Sequence, residues 1–278
     1  MIIWLASYPK SGNTWVRSLL SAYYFSENGN FDFELLKNIN VYPQQKYFDV
    51  KINKPGEINS YWDISQKKII NRKKIIFLKT HNSLLALGGK NFTKPEYTLG
   101  IIYVVRDPRN VITSLKNHYD LNYEHSLDFM LNEKKFIYDI REKNDYSDFQ
   151  FLSSWSNHYK SWINNDLFKR IVIKYEDLEK NTYQTLKNLI NFINPVCKIN
   201  EEIDEKKINN CISSTSFEIL KNKEKKEGFL ENVYSEKKNK KIDFFHLGSK
   251  NKWREIVPKE FHEKINNIFK EDLNNLKY

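Results

Sequence analysis

Residues 2 to 20, IIWLASYPKSGNTWVRSLL, decide how the chain is read. The run Ile2 to Ala6 is apolar without polar alternation, the pattern of a strand buried on both faces of a parallel sheet. A polar turn holding Pro9, Lys10, Ser11, Gly12, Asn13 and Thr14 follows, after which Trp15, Val16, Leu19 and Leu20 recur at helical spacing. Strand, polar turn and helix start together suggest an anion-binding loop, because the first N–H groups of a helix lack partners and its dipole is positive there. Gly12 permits the bend, and Ser11, Asn13 and Thr14 offer donors. The nucleoside-triphosphate loop G-x-x-x-x-G-K-[ST] fails on spacing, since Lys10 stands two residues before the only Gly of the turn. Taken alone, the turn is also compatible with a plain strand–helix connection.

Outward from this stretch, three further β-rich runs stand out: KIIFLKT at 74–80, GIIYVVRD at 100–107 and RIVIKYED at 170–177. Helical patterns lie at 14–25, 108–118, within FQFLSSWSNHYKSWI, in TYQTLKNLINFI after an Asn181 cap, and at 258–277 after Pro258. Strands alternating with helices predict an α/β fold, a single domain over 1–278 with a central parallel sheet flanked by helices and a P-loop-like strand–loop–helix at its start. Residues 26–73 and 119–150 read as irregular, polar insertions over the sheet, and 221–245 as a Lys-rich loop.

The 278 residues carry a formal net charge of +10, which favours anionic partners in general: nucleic acid, acidic lipid or a polyphosphate-like small molecule. Much of the excess lies in runs such as EKKEG and SEKKNKK, which are ordinarily solvated. The two cysteines, Cys197 and Cys211, lack metal-ligand spacing and suit a reducing compartment, so a cytoplasmic protein is expected. No apolar run reaches 18 residues, so stable membrane insertion is not expected.

The turn YPKSGNTW resembles the 5′-phosphosulfate loop of the cytosolic-type sulfotransferases, which take a sulfuryl group from 3′-phosphoadenosine-5′-phosphosulfate (PAPS). Further motifs carry the resemblance in order. YVVRDPRNVITSLKNHY supplies Arg106 and, eight residues on, Ser114, the family's 3′-phosphate pair, with Arg109 as a nearby cation. FLKTHNS gives Lys79, Thr80 and His81 at the end of a strand. Tyr175 in IKYEDL takes the family's adenine-contacting position, Trp15 would stack on the adenine, and TSFEIL places Thr215 and Phe217. The late loop departs from the family's R-K-G-x-x-G-x-W: in HLGSKNKW, Gly248 and Trp253 match, while His246 and Leu247 replace the basic pair and Asn251 the second Gly. Lys250, Lys252 or Arg254 are candidates to compensate.

The resemblance implies the sulfotransferase fold and transfer of a sulfuryl group from PAPS to an acceptor hydroxyl or amine, leaving adenosine 3′,5′-bisphosphate (PAP). It implies His81 as general base, Lys10 at the leaving phosphate, Lys79 against the sulfuryl oxygens, and no metal. The expected partner is a small-molecule, lipid or carbohydrate acceptor rather than nucleic acid, bound where the three insertions cover the sheet. Their rings, Tyr42, Tyr47, Phe48, Trp62, Tyr119 and Tyr123, are candidates to line the acceptor pocket or merely to pack. The dimerisation pattern of some animal members is not recognisable after Trp253, leaving monomer or homodimer. Two other readings remain: a nucleotide kinase or NTPase, and a non-catalytic nucleic-acid binder, which would bind with steep salt dependence.

Overall fold

The computed structural model describes residues 1–70, 75–139, 144–235 and 239–278. Its centre is a five-stranded sheet built from β1 (Ile2–Ser7), β2 (Ile39–Val41), β3 (Ile76–Thr80), β4 (Thr98–Val105) and, after the short antiparallel pair β5 (Phe136–Ile137) and β6 (Gln150–Phe151), β7 (Arg170–Lys174). The order is β2-β3-β1-β4-β7 and all neighbours are parallel. A second small pair, β8 (Tyr234–Ser235) and β9 (Lys240–Lys241), stands apart from it.

The unbroken apolar character of β1 has a direct structural cause. Ile2, Trp4 and Ala6 pack into one core with Leu78, Ile101 and Tyr103, while Ile3 and Leu5 join Phe77, Ile102 and Val104 in another. Successive strand residues point to opposite faces, so a strand clad on both sides must be apolar throughout. The core containing Trp4 is closed by α2 (Trp62–Ile70), α3 (Pro108–His118), α4 (Tyr123–Leu131), α5 (Trp155–Ile163) and the C-terminal helices. The opposite core is closed by α1 (Asn13–Phe25), α7 (Thr182–Cys197) and α8 (Glu205–Ser214). The short α6 (Tyr175–Lys180) leads from β7 into α7, whose cap is Asn181, its side chain accepting from the Gln184 amide. The chain ends through α9 (Phe217–Glu227), α10 (Trp253–Ile256), α11 (Lys259–Ile268) and α12 (Lys270–Leu276).

Several expectations are corrected. The last strand stops at Lys174, and Tyr175 already begins α6. The insertion at 26–73 holds β2 and α2, and the one at 119–150 holds α4, so neither is merely irregular. The stretch 221–245 starts as helix, since α9 runs to Glu227 and only then gives way to loop. The closing helix breaks at Phe269, whose buried ring separates α11 from α12. Lys74, expected to open the second strand, lies outside the described residues.

β1 is flanked by β3 and β4, and the chain leaves it toward β2 and β3 on one side but reaches β4 and β7 on the other. This reversal makes the carboxyl end of β1 a topological switch point, where open parallel sheets bind ligands.

Candidate active site

The turn after β1 is held in one shape. Lys10 and Gly12 both have positive φ, 65° and 99°. A Cβ on Gly12 would lie 2.4 Å from the Tyr175 ring, so the backbone and the close approach both demand glycine. Gly12 is also the N-cap of α1 and supplies no side-chain cap, leaving the helix start open toward the turn. The Asn13 amide nitrogen donates to the Leu5 carbonyl at 3.2 Å and to Ser7 Oγ at 3.1 Å, tying the turn back to β1.

Beside this turn, Arg106 at the end of β4 donates from Nη1 to Ser114 Oγ and to the Lys10 carbonyl, both at 3.3 Å. Its guanidinium lies 4.0 Å from the Tyr175 ring centroid, and Trp15 meets the same ring edge-on at 5.8 Å. Arg106, Ser114, Tyr175, Trp15 and Gly12 therefore form one group. Asn251 replaces the family's second Gly and donates to Ser114 Oγ at 2.9 Å, a contact the sequence reading missed. Lys252 instead approaches Glu255, and Arg254 lies over Trp253. Arg109 is bound to Asp107 at 2.7 Å and donates to Asn266, so it serves the start of α3.

At the end of β3, His81 Nδ1 lies 2.7 Å from the Ser7 carbonyl, which can only accept, so Nδ1 carries the proton and Nε2 keeps its lone pair. The His81 amide donates to Gln150 Oε1 at 2.7 Å, and His158 Nε2 donates to the His81 carbonyl at 3.0 Å. Burial, together with the charge of Lys79, lowers the His81 pKa to about 3, so the ring is neutral near pH 7. Burial likewise lowers Lys10 to about 7, assisted by Lys79 and Arg106 against the pull of Glu231. The Lys10 ammonium rests 3.6 Å from the Phe244 ring centroid.

Two further residues escaped the sequence reading. Glu231 accepts from Lys79 Nζ at 2.8 Å, and Arg17 Nη1 donates to its other oxygen at 2.8 Å. Arg17 carries a faint signal as the lone charged residue of α1; Glu231 carries none within a Lys-rich stretch.

These groups open into one cavity of about 1160 Å³, larger than the ~300–1,000 Å³ usual for a single ligand. Lys10, Lys79, His81, Gly12, Asn13, Thr14 and Trp15 line it with Arg106, Ser114 and Tyr175, as do Thr215, Phe217, His246, Leu247 and Gly248. Ser11 is buried beneath the turn and is not part of the wall. The Thr215 hydroxyl is committed to the Cys211 carbonyl at 2.7 Å, and Phe217 packs on Gly248, where a Cβ would meet the ring at 2.7 Å. His246 is exposed, and burial of part of its ring followed by Lys221 lowers its pKa. Of the insertion aromatics, Tyr119 reaches the cavity, whereas Tyr42, Phe48 and Trp62 belong to the core.

The residues present fit an anionic nucleotide. Arg106 Nε and Trp15 Nε1, donors on two residues that line the cavity, are buried beside the first turn without partners, unusual for buried polar atoms. The chain is 26% identical to mouse sulfotransferase 1 family member D1 over 220 residues, which is 79% of this chain and 65% of that protein. Its fold resembles that of mouse sulfotransferase SULT7A1 complexed with PAP, at TM-score 0.59 and 18% identity, covering 98% of this chain and 84% of that one. It also resembles retinol dehydratase in a complex with retinol and PAP, at TM-score 0.60 and 16% identity, with 98% and 81% covered. The family model described as the sulfotransferase domain matches residues 2–277, and the chain belongs to that family.

Proposed function

We propose that the protein transfers a sulfuryl group from PAPS to a hydroxyl or amine of a small-molecule, lipid or carbohydrate acceptor. The observation that carries the reading is the convergence of the ends of β3, β1 and β4. They bring His81 and Lys79, the Lys10 turn, and Arg106 with Ser114 to one cavity.

The start of α1 and the donors of the turn would hold the 5′-phosphosulfate. Arg106 and Ser114 would hold the 3′-phosphate, while Trp15 and Tyr175 would flank the adenine. PAPS, when bound, supplies the sulfuryl group and departs as PAP. His81 would accept the acceptor's proton at Nε2, and its Nδ1–H bond to Ser7 steadies the imidazolium so formed. General bases of this kind contribute about 10² to 10⁴ in rate. Lys10 and Lys79 would stabilise negative charge as it develops, each preorganised donor being worth about 3–4 kcal/mol. A cavity with room for two ligands and apolar wall residues including Leu121, Phe129, Phe136 and Val233 favours an acceptor with an apolar or aromatic body.

Titration with PAP, using 5′-AMP and ATP as controls, tests the donor site. Selective binding of PAP is expected; a preference for ATP would overturn the reading in favour of a kinase or NTPase.

A further inference from the structure

A carboxylate stands where the site is otherwise built for an anion. Glu231 Oε1 accepts from Arg17 Nη1 at 2.8 Å, while Oε2 accepts from Lys79 Nζ at 2.8 Å and from Thr14 Oγ1 at 3.1 Å. The Lys79 and Arg17 side chains are only 5% and 8% exposed, against 20% for Glu231, so the carboxylate closes over two buried cations.

Seat and occupant have different anchorage. Arg17 is fixed apart from Glu231, donating from Nε to the Ile39 carbonyl at 2.7 Å and from Nη2 to the Leu36 carbonyl at 2.8 Å. Lys79 belongs to β3 and Thr14 to the first turn of α1. Glu231 sits on the loop between α9 and β8, beside Leu230, which is 96% exposed. Burial opposes the Glu231 charge, yet Lys79 and Arg17 hold its pKa well below the carboxylate range, so it is an anion throughout the working pH range.

We propose that Glu231 is an internal ligand of the donor's anionic seat, competing with the phosphosulfate for Lys79 and Thr14 on the cavity wall while Arg17 holds it from behind that wall, and thereby setting donor affinity. This rests on the donor reading above. Buried cations without a counter-charge are costly, and Glu231 supplies that charge until an anionic donor arrives. Two anions a few ångströms apart on the same cations repel, so donor binding displaces the carboxylate. No covalent bond changes; one anionic partner replaces another. Apparent donor affinity is then reduced by the fraction of molecules whose seat is open. The same loop puts Val233 on the cavity wall and leads into Tyr234 and Ser235 of β8, which also line it, so displacement also reshapes that end of the cavity.

The test is calorimetric titration of wild type and E231Q with PAPS, without acceptor and at one ionic strength, with circular dichroism to confirm folding. E231Q is expected to bind at least about fivefold tighter, the gain from freeing a seat occupied in about four-fifths or more of the molecules. Equal or weaker binding by folded E231Q overturns the competition while leaving the donor reading standing. No binding by either protein overturns the donor reading and the inference with it. E231Q leaves two buried cations without their counter-ion, so a crystal structure of wild type with PAPS, without acceptor, gives an answer that does not depend on its folding. The Glu231 carboxylate is expected away from Lys79, and retention of the Lys79–Glu231 ion pair beside bound PAPS overturns the proposal.

Discussion

Lys10 has a charge that its surroundings control closely, burial bringing its pKa down to about 7. A bound anion favours the protonated form, so above pH 7 binding takes up a proton and affinity for PAP falls as pH rises, by at most about tenfold per unit. Below pH 7 Lys10 is already charged and the dependence fades, while His81, held near 3, adds none in this range. Measured Kd values between about pH 6 and about 9 should show this slope, and K10M should flatten it. His81→Ala should lower kcat by about 10² to 10⁴ while PAP still binds, and ordinary turnover would remove His81 as the base. Gly12→Ala meets both a positive φ and the Tyr175 ring, so PAP binding should weaken in a protein that still folds. Lys10, His81 and Arg106 are legible because each follows a strand in a short, ordered motif, and Ser114 because it stands eight residues after Arg106 on α3. Glu231, Arg17 and Asn251 are not, since their meaning comes from partners distant in sequence.

The turn after β3 is gripped from α5 and β6. Trp162 Nε1 donates to the Asn82 carbonyl at 2.9 Å, Ser161 Oγ accepts from the Leu84 amide at 2.9 Å, and Gln150 and His158 hold the His81 backbone. Trp162→Phe keeps a ring but strands a buried carbonyl, which should cost about 1–3 kcal/mol in denaturant unfolding. His158→Ala should lower kcat by a larger factor than it weakens PAP binding, because it frees the His81 carbonyl directly and reaches the phosphate turn only through the Tyr8 ring it packs on; an equal loss of PAP binding would contradict this. The elements that carry the site were readable because doubly buried strands and amphipathic helices leave strong patterns. β2, α2 and α4 lie in mixed sequence at the margins, where three to nine residues give too little periodicity to stand out.

Across the whole molecule, both cores draw on the same strand, with alternate residues of β1 facing each. A common wall leaves neither half a separate way to come apart, so we infer one cooperative unit. Scanning calorimetry should record a single heat-absorption peak with matching calorimetric and van't Hoff enthalpies; two peaks would mean separable parts. The carboxyl end of that wall is also the turn proposed to grip the donor. PAP at 100 times its Kd should thus add about 2.7 kcal/mol to the whole molecule and move the one peak upward without splitting it. Heat tolerance and donor occupancy would then be two readings of the same strand, and resistance to heating would report how well a preparation is supplied with its nucleotide.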